Sequence, residues 1–444
     1  MRHFDVVVVG TGVAGQTAAS ELARAGKRVA VTDVREFGGT CALRGCEPKK
    51  TLFTAAEVSE RFAKQAGHGP AGEVRVDWPS LMAFKRTFTA PVPERIEEWL
   101  AGEGAEVLHG NARFVSPDVL DVAGEQVSAE HFVIAVGARP LELGIPGAEL
   151  VIDSEKFMEL ESLPERIAFI GGGYISFEFA HIAAAAGSRC TILHRSARAL
   201  TGFEPELVDL LIEGYGAGGI EVHTDAPVIA VEQAGGPLRV ICANGTDVEC
   251  DAVVHGAGRV PALAGLDPEA GGVAVSGRGV SVDDSMRSTS NPRVFAVGDA
   301  AALGAPLTPV AIVQARVALA NILDAGSARF EPGATPSVVF SDPVLASVGL
   351  TEAQAREDGL DVDVKLSDMS GWASSRRLGQ HVAAAKTVVE RSTGRILGAH
   401  LLGHGADEAV NVVAVAMLGG LTAHELRGAV LAYPTAGSDL TYVL

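Results

Sequence analysis

Positive charge is scarce in this chain. Across 444 residues, 36 Lys and Arg stand against 55 Asp and Glu, a formal net charge of -19. A polyanion would meet a repulsive field, so nucleic acid and anionic membranes are excluded as principal partners, and no basic patch offsets the balance. Long apolar runs are missing as well. A membrane-spanning helix needs about 20 consecutive apolar residues. The nearest stretch, residues 410–423, is shorter and contains Asn411. Cysteine is sparse: five in the whole chain do not make the disulfide framework of a secreted domain. The first strand signal starts near residue 4, which leaves no room for a cleaved leader. Together these absences lead to the expectation of a cytoplasmic protein.

What is abundant is apolar surface and glycine. Hydrophobic residues make up 47% and there are 52 glycines. The length suggests two to four domains, and the glycines suggest tight turns and close ligand approach. Residues 4–9 are a short apolar run of the kind that forms a buried strand. Gly10, Thr11, Gly12, Val13, Ala14 and Gly15 follow, then a helical pattern to about Ala25 and a second strand over 27–32, closed by Asp33. This is a dinucleotide-binding fingerprint between a strand and a helix: Gly10, Gly12 and Gly15 let phosphate approach the helix N-terminus, and Asp33 can accept from a ribose. The same grammar recurs about 160 residues later. There a strand over 166–170 leads to Gly171, Gly172, Gly173, Tyr174 and Ile175, a helix over 177–186 and a strand over 189–193. Two such turns imply two dinucleotides and electron transfer between them.

The second nucleotide reads as NADPH. Enzymes that prefer NADH usually close the second strand with a carboxylate for the ribose hydroxyl; those that prefer NADPH replace it and add arginines for the phosphate. Here His194 fills that position, followed by Arg195 and Arg198, and arginine meets a phosphate bidentately. The plainer alternative is that both are ordinary surface arginines.

Between the two turns, residues 38–50 read GGTCALRGCEPKK. Residues i and i+5 of a regular helix sit roughly 8 Å apart on different faces, whereas a disulfide wants Cα atoms about 4.4–6.8 Å apart. The turn must therefore be distorted if Cys41 and Cys46 are to bond. Pro48 offers a means, because its ring clashes with the carbonyl four residues back, at Arg44. A strained, accessible bridge of that kind is labile or catalytic rather than structural. Cys190, Cys242 and Cys250 lie in strand-like runs and read as core filler.

On these motifs the chain resembles the pyridine nucleotide–disulfide oxidoreductases, the group of glutathione reductase, dihydrolipoamide dehydrogenase and mercuric reductase. The likeness covers essentially the whole chain. It implies an α/β protein with two Rossmann-like dinucleotide-binding domains, for FAD and NADPH, and a C-terminal α+β dimerisation domain. The implied spans are 1–143 for the first part of the FAD domain, 144–262 for the NADPH domain, 263–333 for the return to the FAD domain and 334–444 for the interface domain of a homodimer. It also implies roles. Cys41 attacks substrate and Cys46 faces the flavin; Glu178 pairs with Lys49 or Lys50; Tyr174 gates the nicotinamide side. Gly39, Thr40, Val310, Ala311 and Gly258 line cofactor. Asp299, which ends a strand over 294–297, binds the ribityl chain, and Thr308, read as the N-cap of a helix running to about Leu323, aims that helix at the flavin.

The resemblance breaks at the C-terminus. Disulfide-reducing members carry His-Pro-Thr-x-x-Glu; this chain has Tyr433, Pro434, Thr435 and then Ser438, with Asp439 one position late, about 100° round a helix. A phenol is a poor base at neutral pH but can donate a proton. Three readings stay open. The substrate releases an acidic thiol; the acceptor is a quinone or a metal ion; or Tyr433 merely packs. Val13 and Ser20 stand where glutathione reductases tend to hold glutathione with Ser and Arg. Arg44 would lower a thiol pKa and Glu47 would raise it, or both are exposed charges without a role. The expected function is electron transfer from NADPH through FAD and a Cys41–Cys46 disulfide to a small acceptor, a low-molecular-weight disulfide first, without metal. The alternatives are a reductase of a non-disulfide acceptor and a low-turnover flavin redox sensor.

Overall fold

The computed structural model describes residues 1–233 and 235–444. The chain divides into two compact units, one of Met1–Lys50, Ala83–Glu142 and Arg259–Pro332, the other of Thr51–Met82, Leu143–Gly258 and Gly333–Leu444. This differs from the four expected spans in two ways. The nucleotide-binding and interface spans cluster as one unit, and residues 51–82 join it. The physical reason lies in one apolar cluster: Leu52, Phe53, Trp78 and Met82 share it with Phe177, Val344 and Ala406.

The first unit is built on a parallel sheet. Its strands run in the order Glu106–His109, Val29–Asp33, Arg2–Val9 and Glu125–Ile134, with Val294–Ala296 parallel to the last. Val7 pairs with Ala30 on one side and Phe132 on the other. Strands covered on both faces need unbroken apolar runs, which is why residues 6–9 are all valine. Two antiparallel strands, Val119–Val122 and Ala112–Ser116, extend the far edge. Helices Val13–Arg24 and Thr308–Leu323 lie against each other, and the buried alanines Ala18, Ala19, Ala315 and Ala318 permit the close approach.

The second unit holds another parallel sheet, ordered Ile220–His223, Arg189–Leu193, Arg166–Ile170, Ala252–His255 and Val151–Asp153. A three-stranded antiparallel sheet (Val228–Gln233, Leu238–Cys242, Asp247–Cys250) accompanies it. Cys190, Cys242 and Cys250 are all buried. The C-terminal part is a five-stranded antiparallel sheet, Ser337–Val339, Leu345–Gly349, Ile396–Leu402, Ala384–Glu390 and Val362–Asp368, covered by helix Ala406–Leu418. The whole is a mixed α/β fold with two dinucleotide-binding sheets and a C-terminal α+β domain. No helix among the described residues is long and apolar enough to cross a membrane.

A buried cation ties the second unit together. Lys386 is 3% exposed, and its Nζ donates to Glu204 Oε2 at 2.9 Å and Glu206 Oε1 at 2.8 Å and lies 2.8 Å from Glu352 Oε2. Burial works against its charge, but the three carboxylates outweigh burial and hold the ammonium above its ordinary pKa. Removing one partner of a buried pair strands the other charge at about 3–5 kcal/mol. Lys386→Ala is therefore expected to lower the free energy of unfolding from urea titration by about that much, read as a lower midpoint at unchanged m. The hydrogen bond from Lys386 holds the Glu352 carboxyl below its ordinary value. Its contribution is thus present above the unfolded carboxylate pKa and lost as pH falls through the folded one. The variant should show a shallower acid limb in the same titration.

Candidate active site

The first Gly-rich turn is shaped to admit a phosphate. Gly10 has φ +107°, and a Cβ there would stand 2.3 Å from the Ala135 carbonyl oxygen. At Gly12 a Cβ would meet nothing within 4 Å, so the mouth of the turn is open. Helix Val13–Arg24 starts at Gly12 with no side-chain cap and no acidic residue in its first turn. Its leading N–H groups are therefore left for an anion. Asp33 does more here than await a ribose. Its Oδ2 accepts from Thr11 N at 2.7 Å and Thr11 Oγ1 at 2.6 Å, and its Oδ1 from Arg35 N at 3.0 Å. The carboxylate pins the turn, and only its remaining lone pairs can serve a ligand. Buried Thr11 also accepts from Gly38 N at 3.2 Å, a role not foreseen from sequence. Gly39, with φ +71°, packs so tightly on this turn that a Cβ would lie 2.3 Å from Gly12 Cα.

From Gly39 the chain forms a short helix, Gly39–Arg44, with Thr40 half-buried, and then helix Cys46–Lys64. The interruption falls at Gly45, with φ -146° and ψ -113°, and not through Pro48. A Cβ on Gly45 would come 2.9 Å from the Thr40 carbonyl oxygen. Pro48 sits in the first turn of the second helix, where its missing N–H costs no bond; Lys49 N already reaches Gly45 O at 3.1 Å. The break sets Cys46 at a helix start and brings it back toward Cys41.

Cys41 is half-buried and Cys46 exposed, and neither is bridged in this structure. Thr308 Oγ1 donates to Cys41 Sγ at 3.5 Å and lies 3.7 Å from Cys46 Sγ. That hydroxyl does not cap its helix: Leu307 is the N-cap of Thr308–Leu323, without a side-chain bond, and Thr308 is its first helical residue. The two thiols differ sharply. The hydrogen bond from Cys41 lowers the Cys46 pKa to about 6, with further help from Thr308 and Lys49 against the effect of burial. Cys41 is pushed up by that same bond, by burial and by the charges of Cys46 and Glu47. Arg44 Nη1 is paired with Glu36 Oε2 at 2.8 Å. Lys49 and Lys50 follow in the same helix, both half-buried.

Further along the first unit, Gly298 N donates to Gln314 Oε1 at 2.7 Å, and Gln314 is itself buried. This holds the turn carrying Asp299, whose carboxyl is raised by burial and opposed by the Arg259 charge. Asp299 forms no ion pair among the described residues and is half-buried. Val310 and Ala311 form the first turn of helix Thr308–Leu323, again without an acidic residue. An open Gly turn, two uncapped helix N-termini, a part-buried carboxylate and a thiol pair in one unit fit FAD.

The second Gly-rich turn repeats the first. Helix Tyr174–Ala185 starts at Gly173, uncapped, with no acid in its first turn. Gly171 lies against Gly256 O, which a Cβ would approach to 2.5 Å, while a Cβ on Gly258 would meet nothing within 4 Å. Tyr174 is 46% exposed and Ile175 half-buried. Glu178 is buried, and its Oε1 accepts from Phe340 N at 2.9 Å. Arg195 and Arg198 are exposed and form no ion pair among the described residues. This donor set fits a nicotinamide dinucleotide. At the C-terminus, Tyr433 is 76% exposed. Ser438, at the family's Glu position, belongs to a capping box: Thr435 N donates to its Oγ at 3.0 Å and Ser438 N to Thr435 Oγ1 at 3.1 Å. Asp439 lies one residue further along helix Ala436–Val443.

Two dinucleotide cradles and a dithiol beside one of them define an oxidoreductase that takes electrons from a nicotinamide to sulfur by way of a flavin. The chain belongs to the pyridine nucleotide-disulphide oxidoreductases: residues 4–315 match that family and residues 335–443 its dimerisation domain. It is 35% identical to the glutathione reductase of Burkholderia cepacia over 437 residues, 98% of this chain and 97% of that one. It is 30% identical to the dihydrolipoyl dehydrogenase of Bacillus subtilis, covering 98% of this chain and 94% of that one. Among solved structures it is similar to the HOCl-induced flavoprotein disulfide reductase RclA from Escherichia coli, with a TM-score of 0.89, 28% identity and 99% of each chain covered. The family's members bind FAD and depend on NAD(P)H, and the dimerisation domain makes the homodimer their assembly.

One measurement checks the electrostatics of the dithiol. In the reduced protein, ultraviolet thiolate absorbance should rise with a midpoint near pH 6, from Cys46. Cys46→Ser should abolish that step, and Cys41→Ala, which removes the donor, should move it upward. A single step near the ordinary cysteine value in all three proteins would contradict the assignment.

Proposed function

We propose that the protein is an NADPH-dependent reductase of a low-molecular-weight disulfide, acting through Cys41 and Cys46. The observation that carries the reading is the thiol pair gathered on one hydroxyl: Cys41 Sγ at 3.5 Å and Cys46 Sγ at 3.7 Å from Thr308 Oγ1. FAD supplies, when bound, the two-electron relay between nicotinamide and sulfur. The chain's residues then do the following. Cys46 accepts the proton of Cys41, whose thiolate attacks one sulfur of the substrate. A Cys41–substrate disulfide forms and the first thiol leaves with a proton. Cys46, giving up its own proton, attacks Cys41; the second thiol leaves and the Cys41–Cys46 bond forms, to be reduced again by two electrons. The sulfurs are balanced: one disulfide is broken for each one made. Thr308 donates to whichever sulfur carries the charge.

The preference for NADPH rests on Arg195 and Arg198, exposed and free of carboxylates, with His194 where NADH enzymes carry an acid. In the homodimer, the partner subunit's Tyr433 donates the proton to the first leaving thiol. Ser438 is spent on the helix cap, and the phenol, a poor base at neutral pH, acts as an acid.

Cys41→Ser is expected to lower disulfide turnover at least about 10³-fold, since a hydroxyl cannot form the exchange intermediate, while anaerobic NADPH still bleaches the flavin. Survival of turnover would turn the reading toward a quinone or metal-ion acceptor, and failure to bleach toward a sensor. Tyr433→Phe should lower kcat/KM for an alkyl disulfide about 10²-fold. For an aryl disulfide, whose acidic leaving thiol needs no proton, the loss should stay within about threefold. Equal losses with both substrates would remove Tyr433 from the proton transfer.

A further inference from the structure

We propose that His194 is a positioning residue that builds the arginine-bearing turn for a 2′-phosphate, and that it does so because it is a neutral acceptor; the inference rests on the NADPH preference above. Gly172 N donates to His194 Nδ1 at 3.0 Å, and His194 Nε2 stands 2.8 Å from Arg198 O. A backbone N–H can only donate and a carbonyl can only accept. The two contacts together therefore fix an uncharged ring with its proton on Nε2. Leu200 N donates back to Gly172 O at 2.8 Å. These three bonds close a ring that runs from the Gly-rich turn through the imidazole and along residues 198–200 to the same glycine. The imidazole lies so close over Gly172 that a Cβ there would stand 2.6 Å from His194 Cγ.

The other end of the turn is held by the neighbouring strand. His194 N donates to His223 O at 2.8 Å, Ala226 N to His194 O at 2.8 Å and Asp225 N to Ser196 O at 3.1 Å. Residues 195–198 are thus pinned at both ends, yet their side chains are exposed. Arg195 and Arg198 project from a rigid turn rather than a mobile loop.

The first Gly-rich turn shows why the residue type matters. There a carboxylate, Asp33, accepts from the turn's Thr11 N. A carboxylate could accept from Gly172 N equally well, but its charge would repel a phosphate on the adenosine ribose. An aliphatic side chain would leave Gly172 N–H and Arg198 O without these partners and loosen the turn. Neutral histidine satisfies both groups and adds no negative charge.

Calorimetric binding of 2′,5′-ADP and 5′-AMP to the FAD-loaded homodimer tests this without turnover. The wild type should favour 2′,5′-ADP. His194→Ala should weaken 2′,5′-ADP about tenfold and 5′-AMP less than about threefold. His194→Asn, whose Oδ1 can accept from Gly172 N, should keep 2′,5′-ADP within about threefold of wild type. His194→Glu should lose 2′,5′-ADP and retain 5′-AMP. The KM for NADPH should rise in the Ala variant while kcat at saturation holds. An unchanged 2′,5′-ADP to 5′-AMP ratio in the Ala variant would overturn the role of His194 and leave the NADPH preference standing. No preference for 2′,5′-ADP in the wild type would instead overturn the NADPH preference. Should the Ala variant fail to fold, the contrast between Asn and Glu decides.

Discussion

The chemistry depends on two thiols, which the backbone would otherwise keep apart, meeting at one hydroxyl, that of Thr308. A continuous helix would turn Cys41 and Cys46 to different faces. The break at Gly45 lets both sulfurs reach the same hydroxyl, and it puts Cys46 at a helix start, where partial positive charge favours a thiolate. Thr308, from a helix some 260 residues later in the chain, adds a hydroxyl within reach of both sulfurs. The pair is unequal: Cys46 is lowered and Cys41 raised from the ordinary thiol pKa. A dithiol arranged in this way can attack with one member and resolve with the other.

Both nucleotide sites use one construction with different chemistry. Each has a strand, a Gly-rich turn, an uncapped helix without early acids, and a side chain at the end of the next strand that bonds the turn's backbone. In the first that side chain is a carboxylate; in the second it is an imidazole. The fold supplies the anion site through the helix N-terminus, and the strand-end residue sets the charge beside it.

Much of this was legible in the sequence because it is local. The strands over 166–170 and 189–193 fall where the apolar runs place them, and the helix over 406–418 does too. The Gly turns were readable because only glycine allows the observed approach of Gly10 to Ala135 O and of Gly39 to Gly12. What stayed hidden depends on pairs far apart in the chain. Pro48 looked like the helix breaker, but the steric limit is Gly45 against Thr40, which a proline rule does not anticipate. Thr308 looked like a cap, yet its hydroxyl turns to the sulfurs. Arg44 reads in sequence as a neighbour of the thiols alone, and the structure adds a partner for it in Glu36, eight residues earlier. Thr11 and Gln314 carried no motif of their own; a polar residue between two fingerprint glycines, or a lone glutamine in an apolar helix, was the available signal. The grouping of residues 51–82 with later parts of the chain was not legible, since their partners in the apolar cluster lie some seventy-five or more positions downstream.

The most direct test of the central claim is differential alkylation of the cysteines, read by mass spectrometry, before and after anaerobic addition of NADPH to the oxidised FAD-loaded homodimer. The account predicts that the peptide spanning residues 38–50 goes from unlabelled to labelled at both Cys41 and Cys46, while Cys190, Cys242 and Cys250 do not change. Reduction of the flavin with no change at either cysteine of that peptide would contradict it.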